Sequence, residues 1–270
     1  MLELSAGDAR LTVDATDGGR WTSLVVGDLE LLSGAALPDV SPSVTSGCFP
    51  MAPFAGRLAH GRLAWRGEVH ELPRHAPPHA VHGTAVYAPW QVVDATGSTA
   101  VLAHRLRAPW PFAGVVRQHL TLDADGLVGR LEVHAEEEMP VVLGWHPYFP
   151  RTLGGQDAGV DVRPEQQYEK GDDDLPTGAL VEPADGPHDD CFRGVGRAPV
   201  VRWPGVLELV LDSPTDHWVL FDEHPDVVCV EPQTGPPDAV RLGRATLVPA
   251  GSSIGLTLAL RWRTLDGASR

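Results

Sequence analysis

The sequence predicts an all-β protein, a large antiparallel β-sandwich with few short helices. Three observations predict it. Short apolar or alternating runs recur along the chain, while helical periodicity is hard to find. Clusters of Gly, Pro and Asp separate those runs. And 29 glycines and 25 prolines are dispersed through the 270 residues, which leaves long helices little room.

Taken in order, the first strands fall at residues 9–13 and 22–32. Residues 63–65 and 69–72 flank Arg66-Gly67, a two-residue hairpin signal. Runs follow at 100–106, 115–122 and 127–133, the last two joined by Asp123-Ala124-Asp125-Gly126, which reads as a hairpin turn. Later runs lie at 141–145, 207–211, 218–221, 227–230 and 254–262. Two parts depart from this pattern. Residues 49–56 and 73–89 are rich in Pro, His and Gly, as loops lining a cleft would be. Residues 154–196 are acidic and turn-rich, with Gly171-Asp172-Asp173-Asp174 expected to be a solvated loop. No composition shift divides the chain, so residues 1–270 are expected to form a single domain. The pattern is compatible with a monomer or a homodimer.

At 43% hydrophobic the chain has material for a substantial core. A formal net charge of −15 argues against nucleic-acid or membrane-surface partners. Lys170 is the only lysine. The start, Met1-Leu2-Glu3-Leu4-Ser5, lacks the basic and apolar pattern of a signal peptide, so a cytoplasmic location is expected. Cys48, Cys191 and Cys229 are odd in number and scattered, unlike a disulfide framework.

Two segments carry the chemistry. Trp145-His146-Pro147-Tyr148-Phe149 and Val230-Glu231-Pro232-Gln233-Thr234 each place a proton-transfer side chain directly before a proline. Proline biases the residue ahead of it to extended backbone, so both read as stiff turns presenting an acid–base group. Glu231 follows an apolar run and is expected at a strand's end, where desolvation raises a carboxyl pKa; a structural ion pair is the plainer alternative. Judged alone, His146 reads more readily as a packed core or edge histidine, and Trp145, Tyr148 and Phe149 as core packing or as a ring facing a ligand. Arg57, between Gly56 and Gly61, offers a planar fork for oxygen atoms. His75, His79 and His82 raise the question of a metal, but the intervening prolines forbid one helical face and no carboxylate or cysteine completes the set. No metal or cofactor is expected. Nucleophile elbows, phosphate-cradling loops and Cys-x-x-Cys pairs are absent from the sequence.

Four motifs in order resemble the aldose 1-epimerases, the galactose mutarotases. They are Phe54-Ala55-Gly56-Arg57-Leu58-Ala59-His60-Gly61, Val81-His82-Gly83, Gly144-Trp145-His146-Pro147-Tyr148-Phe149 and Val230-Glu231-Pro232-Gln233-Thr234. The resemblance implies the galactose mutarotase-like supersandwich and interconversion of sugar anomers by ring opening and reclosure. It assigns Glu231 as base and His146 as acid, with Arg57 and His82 holding the sugar. The family's substrate-binding aspartate matches Asp189 in Asp189-Asp190-Cys191-Phe192, with Asp190 as the alternative. Gly56 stands where the family often has asparagine, and Pro150 follows Phe149 in place of Asn-Leu. The expected partner is a small sugar, a free aldohexose. A hexose-6-phosphate 1-epimerase and a non-catalytic carbohydrate-binding or sensing module are the alternatives.

Overall fold

The computed structural model describes residues 1–35, 37 and 40–265. Residues 266–270, included above in the single expected domain, lie outside the described residues. Two large sheets dominate, one of 11 strands and one of 8 among the described residues. In spatial order the larger sheet runs Leu2–Ala6, Ala9–Asp14, Arg20–Val26, Cys48–Met51, Gly144–Pro150, Val227–Gln233, His217–Phe221, Asp189–Arg193, Gln166–Lys170 and Pro176–Val181, with Leu29–Glu30 beside Arg20–Val26. The smaller runs Gln91–Ala95, Thr99–Leu106, Gly114–Leu122, Gly126–Ala135, Ser253–Thr264, Leu207–Asp212, Val200–Trp203 and Gly159–Asp161. Among the described residues helix is confined to single 3₁₀ turns at Pro42–Val44, Ala59–Gly61 and Ala85–Tyr87. No helix among the described residues is long and apolar enough to cross a membrane.

Both expected hairpins form. Arg66 and Gly67 take φ of 49° and 86°, the mirror-image turn that matches strand twist, and Trp65 pairs with Glu68. At the other, Asp123 N–H donates to Gly126 O at 2.8 Å. The run at 141–145 is not one strand. Met139–Val141 pairs with Thr246–Val248, and a second strand begins at Gly144. Between them Val142 and Leu143 spend their backbone N–H groups on Pro53 O and Thr234 Oγ1, at 2.9 Å each, so no ladder spans the break. The acidic segment at 154–196 also differs from expectation. It contains the strands Gly159–Asp161, Gln166–Lys170, Pro176–Val181 and Asp189–Arg193. Gly159–Asp161 and Pro176–Val181 are the outermost strands of their sheets, and Gln166–Lys170 and Asp189–Arg193 follow inward from Pro176–Val181; their many polar residues give them no apolar signal of a central strand.

Alternation along the central strands divides their side chains between two faces. Trp145 and Phe149, Trp218 and Leu220, and Val228 and Val230 turn inward to the core shared with the smaller sheet. Trp21 and Trp145 are fully buried with ring centroids 4.7 Å apart. Gly129 of the opposite sheet lets them approach, since a Cβ there would stand 2.5 Å from the Trp21 ring. The two sheets are also tied by polar bonds: Trp21 Nε1 donates to Gln118 Oε1 at 3.1 Å, and Gln118 Nε2 donates to Gly19 O at 2.7 Å. Each such buried bond costs about 1–3 kcal/mol if one partner is removed. Residues on the outer face of the same strands, His146, Tyr148, Cys229, Glu231, Cys191 and Val219, are left for a different purpose.

Candidate active site

The outer face of the larger sheet forms the floor of a cavity of about 560 Å³, lined by Arg57, His82, His146, Tyr148, Tyr168, Lys170, Asp189, Glu231 and Gln233 among others. That volume falls in the range of small-molecule sites.

His146 and Glu231 do not sit in turns, and Glu231 is not at a strand's end. They lie within adjacent strands, Gly144–Pro150 and Val227–Gln233. The pairs Gly144↔Gln233 and Tyr148↔Cys229 set the register, which puts His146 directly across from Glu231. Pro147 and Pro232 have no N–H to contribute, and the ladder between these strands opens where they stand. Central strands therefore tolerate both prolines, and the pre-proline bias serves to hold extended backbone. Directly opposed residues share a face. His146 Nε2 lies 3.2 Å from Glu231 Oε1, with side chains 7% and 3% exposed.

Burial pushes the Glu231 carboxyl well above its usual range, and neighbouring Asp189 adds to this. Gln233 and Arg57 act in the opposite direction, Gln233 Nε2 donating to Glu231 Oε2 at 3.3 Å. Burial holds the His146 imidazole well below 6.5, with His82 as a second cause. Both groups are thus driven toward their neutral forms. The ring of His146 is fixed between Tyr148, stacked at 4.6 Å, and Phe49 at 4.7 Å. Trp145 is core, whereas Tyr148 lines the cavity and donates its hydroxyl proton to Val44 O at 3.0 Å.

Arg57 and His82 come from neighbouring short segments, Arg57 pairing with Val81 across a two-residue ladder. Gly56 has φ of 65°, and a Cβ there would come within 2.8 Å of Pro237. Asp238 N–H donates to Arg57 O at 2.8 Å, while the Asp238 carboxylate accepts from Ala59 N–H at 3.2 Å and is paired with Arg241. His82 itself has φ of 61° and Gly83 84°, a left-handed step that turns the imidazole into the site. His82 Nδ1 lies 2.9 Å from Met51 Sδ, which can only accept, so Nδ1 carries the proton and Nε2 is an acceptor. Burial, helped by Arg57 and opposed by Asp189, lowers the His82 pKa to about 3.

Asp189 shares its face with Cys191 and, through Val219, with Glu231. Its Oδ2 accepts from Arg57 at 3.1 Å and lies 3.9 Å from Lys170 Nζ. Asp190 also borders the cavity but is held by His188 Nδ1 at 3.3 Å and by Lys170 at 3.9 Å. The structure therefore brings Arg57, His82, His146, Asp189 and Glu231 together. The other histidines of the 75–82 stretch are not gathered with His82. His75 stacks on Tyr87 at 3.8 Å, and His79 spends Nδ1 on His60 N–H and Nε2 on Asp173 O.

Sequence reading passed over Gln233, Tyr168 and Lys170. Gln233 lies two residues from Glu231 on one strand, a period-2 signal available once that strand is recognised. Tyr168 and Lys170 belong to a polar strand next to the sheet's edge with no apolar pattern, so nothing marked their face beyond Lys170 being the sole lysine.

Fold and cavity together define an all-β sandwich that carries an opposed imidazole–carboxyl pair in a cavity on the outer face of its larger sheet. The family model for aldose 1-epimerase matches residues 1–240, and the chain belongs to that family. The uncharacterized protein YphB of Escherichia coli K12 is 34% identical over 111 residues, 38% of this chain and 37% of that protein, so the match spans little over a third of the relative's length. Among solved structures, a candidate aldose 1-epimerase from Escherichia coli K12 superposes with a TM-score of 0.83 at 23% identity, over 97% of this chain and 98% of that one. A galactose mutarotase-like protein from Clostridium acetobutylicum gives 0.83 at 15% identity, covering 97% and 95%. Galactose 1-epimerase from Lactobacillus acidophilus gives 0.77 at 16%, covering 97% and 93%. At these identities the likeness is one of fold.

Proposed function

We propose that the protein is an aldose 1-epimerase, interconverting the α and β anomers of a free aldohexose. The observation that carries this is the buried His146–Glu231 pair, opposed at 3.2 Å on the cavity floor. Anomer exchange needs a proton removed from the C1 hydroxyl and one delivered to the ring oxygen, two atoms bonded to the same carbon. A base and an acid that already touch each other match that spacing once the sugar's two oxygens come between them.

The proton count closes within the pair. In the imidazolium–carboxylate form, His146 gives its proton to the ring oxygen as the C1–O bond breaks, and Glu231 takes the hydroxyl proton. This leaves imidazole, carboxylic acid and open-chain aldehyde. Rotation about C1–C2 presents the other face, and the same two transfers run backward. Burial favours the neutral pair, which is the form that accompanies the open chain. Desolvation therefore assists the ring-opening step. Arg57, His82 through its bare Nε2, and Asp189 are assigned to the sugar hydroxyls, and Gln233 to orienting the base.

Polarimetry of freshly dissolved α-D-glucose and α-D-galactose tests the proposal. Wild type should accelerate the decay, and Glu231→Gln should lower kcat by about 10²–10⁴-fold with KM nearly unchanged. A variant that turned over at the wild-type rate would remove Glu231 from the role of base.

A further inference from the structure

Beside the acid–base pair a third side chain completes a triangle. Cys229 stands two residues before Glu231 on one strand, so alternation puts its thiol on the same face. Its register partner is Tyr148, two residues from His146 on the neighbouring strand. One ligand-type atom from each of His146, Cys229 and Glu231 lies within 4.8 Å of the others, and all three residues are buried. We propose that this triangle is a site for a zinc-type divalent cation, which inhibits the protein by occupying the acid–base pair.

The donor set selects the metal. Imidazole nitrogen, thiolate and carboxylate oxygen are the ligands of zinc, whereas magnesium and calcium take oxygen alone. Zinc ligands at about 2.0–2.3 Å in a tetrahedron stand roughly 3.3–3.7 Å from one another. The His146–Glu231 separation of 3.2 Å is already close to the lower end of that range. The thiol must close by about 1 Å, within reach of side-chain rotation. His146 and Glu231 line the cavity, so a cation enters from that side and retains an open position there for water.

The surroundings favour an exchangeable cation over a resident one. A metal-holding imidazole is ordinarily anchored through its second ring nitrogen. Nδ1 of His146 is buried with no hydrogen-bond partner. Ligation needs thiolate, carboxylate and neutral imidazole, so the thiol proton and the proton shared by the pair both leave to solvent. No electron is transferred. The site itself depends on the three side chains only; its inhibitory effect rests on the mutarotase reading.

The test titrates chelator-treated protein with Co²⁺ and then Zn²⁺, for wild type and Cys229→Ser, and follows mutarotation at varied sugar and zinc. A thiolate-to-cobalt charge-transfer band should appear at one equivalent, disappear when zinc is added, and be absent from Cys229→Ser. Zinc inhibition should be competitive with sugar and at least about 10-fold weaker in Cys229→Ser, as loss of even an outer partner costs a metal site that much. The metal-free rate of the variant should match wild type. Cys229→Ala is the second variant if a buried hydroxyl disturbs the strand. Absence of the band, or equal zinc sensitivity with and without the thiol, overturns the proposal. The cobalt spectrum requires no turnover, so a failure of the mutarotase reading is seen separately.

Discussion

At the scale of single residues, the pair His146–Glu231 makes a pH dependence follow from burial. The working pair carries one titratable proton, and its two macroscopic pKa values belong to both residues together. A second proton must enter a desolvated imidazole whose pKa lies well below 6.5, so the neutral ring persists as pH falls through 6.5. The acid limb of kcat/KM should therefore have its midpoint well below 6.5, read by polarimetry across buffers at constant ionic strength. A midpoint at 6.5 would mean that His146 titrates like a solvated histidine. These two residues were legible in the sequence because proline marks the backbone ahead of it, and Arg57 because it stands between Gly56 and Gly61; His82 stood out only within a histidine cluster, and its sugar-binding role came from family resemblance. Asp189 came from family resemblance. Gln233, Tyr168 and Lys170 were not legible, because their place on the cavity face depends on strand register, which local spacing does not encode.

At the scale of elements, apolar runs matched interior strands at Gly114–Leu122 and Gly126–Ala135, but the run at 141–145 straddled two strands. Polar strands in the acidic segment carried no such pattern, and the segments bearing His146 and Glu231 were read as turns, proline being usually excluded from central strands. The exception has a cause: the ladder opens opposite both prolines. The segment bearing His82 is held differently, by a bridge between Gly83 and Ala52. At φ of 84°, a Cβ on residue 83 would stand 2.0 Å from Ala52 O. Gly83→Ala should thus destabilise the fold by more than ~1 kcal/mol, and by about 3 if the strap must move. Urea unfolding checks this, and an unchanged midpoint would show that the bridge does not hold the strap.

At the scale of the whole molecule, the net charge of −15 extends into the cavity. Its lining holds five acids, Asp174, Asp189, Asp190, Glu223 and Glu231, against Arg57 and Lys170. Both cations face Asp189 already. A phosphorylated sugar would bring further negative charge into this field, so kcat/KM for glucose 6-phosphate should fall below that for glucose, most clearly at low salt. A preference for the phosphate ester, measured by coupled assay, would reverse the choice of substrate. The same cavity rim has a practical consequence. Lys170, with its side chain 34% exposed, is the only lysine in the chain and lines that cavity. A lysine-directed reagent therefore fixes a single fluorophore on the wall of the cavity, where its emission can report on whatever enters.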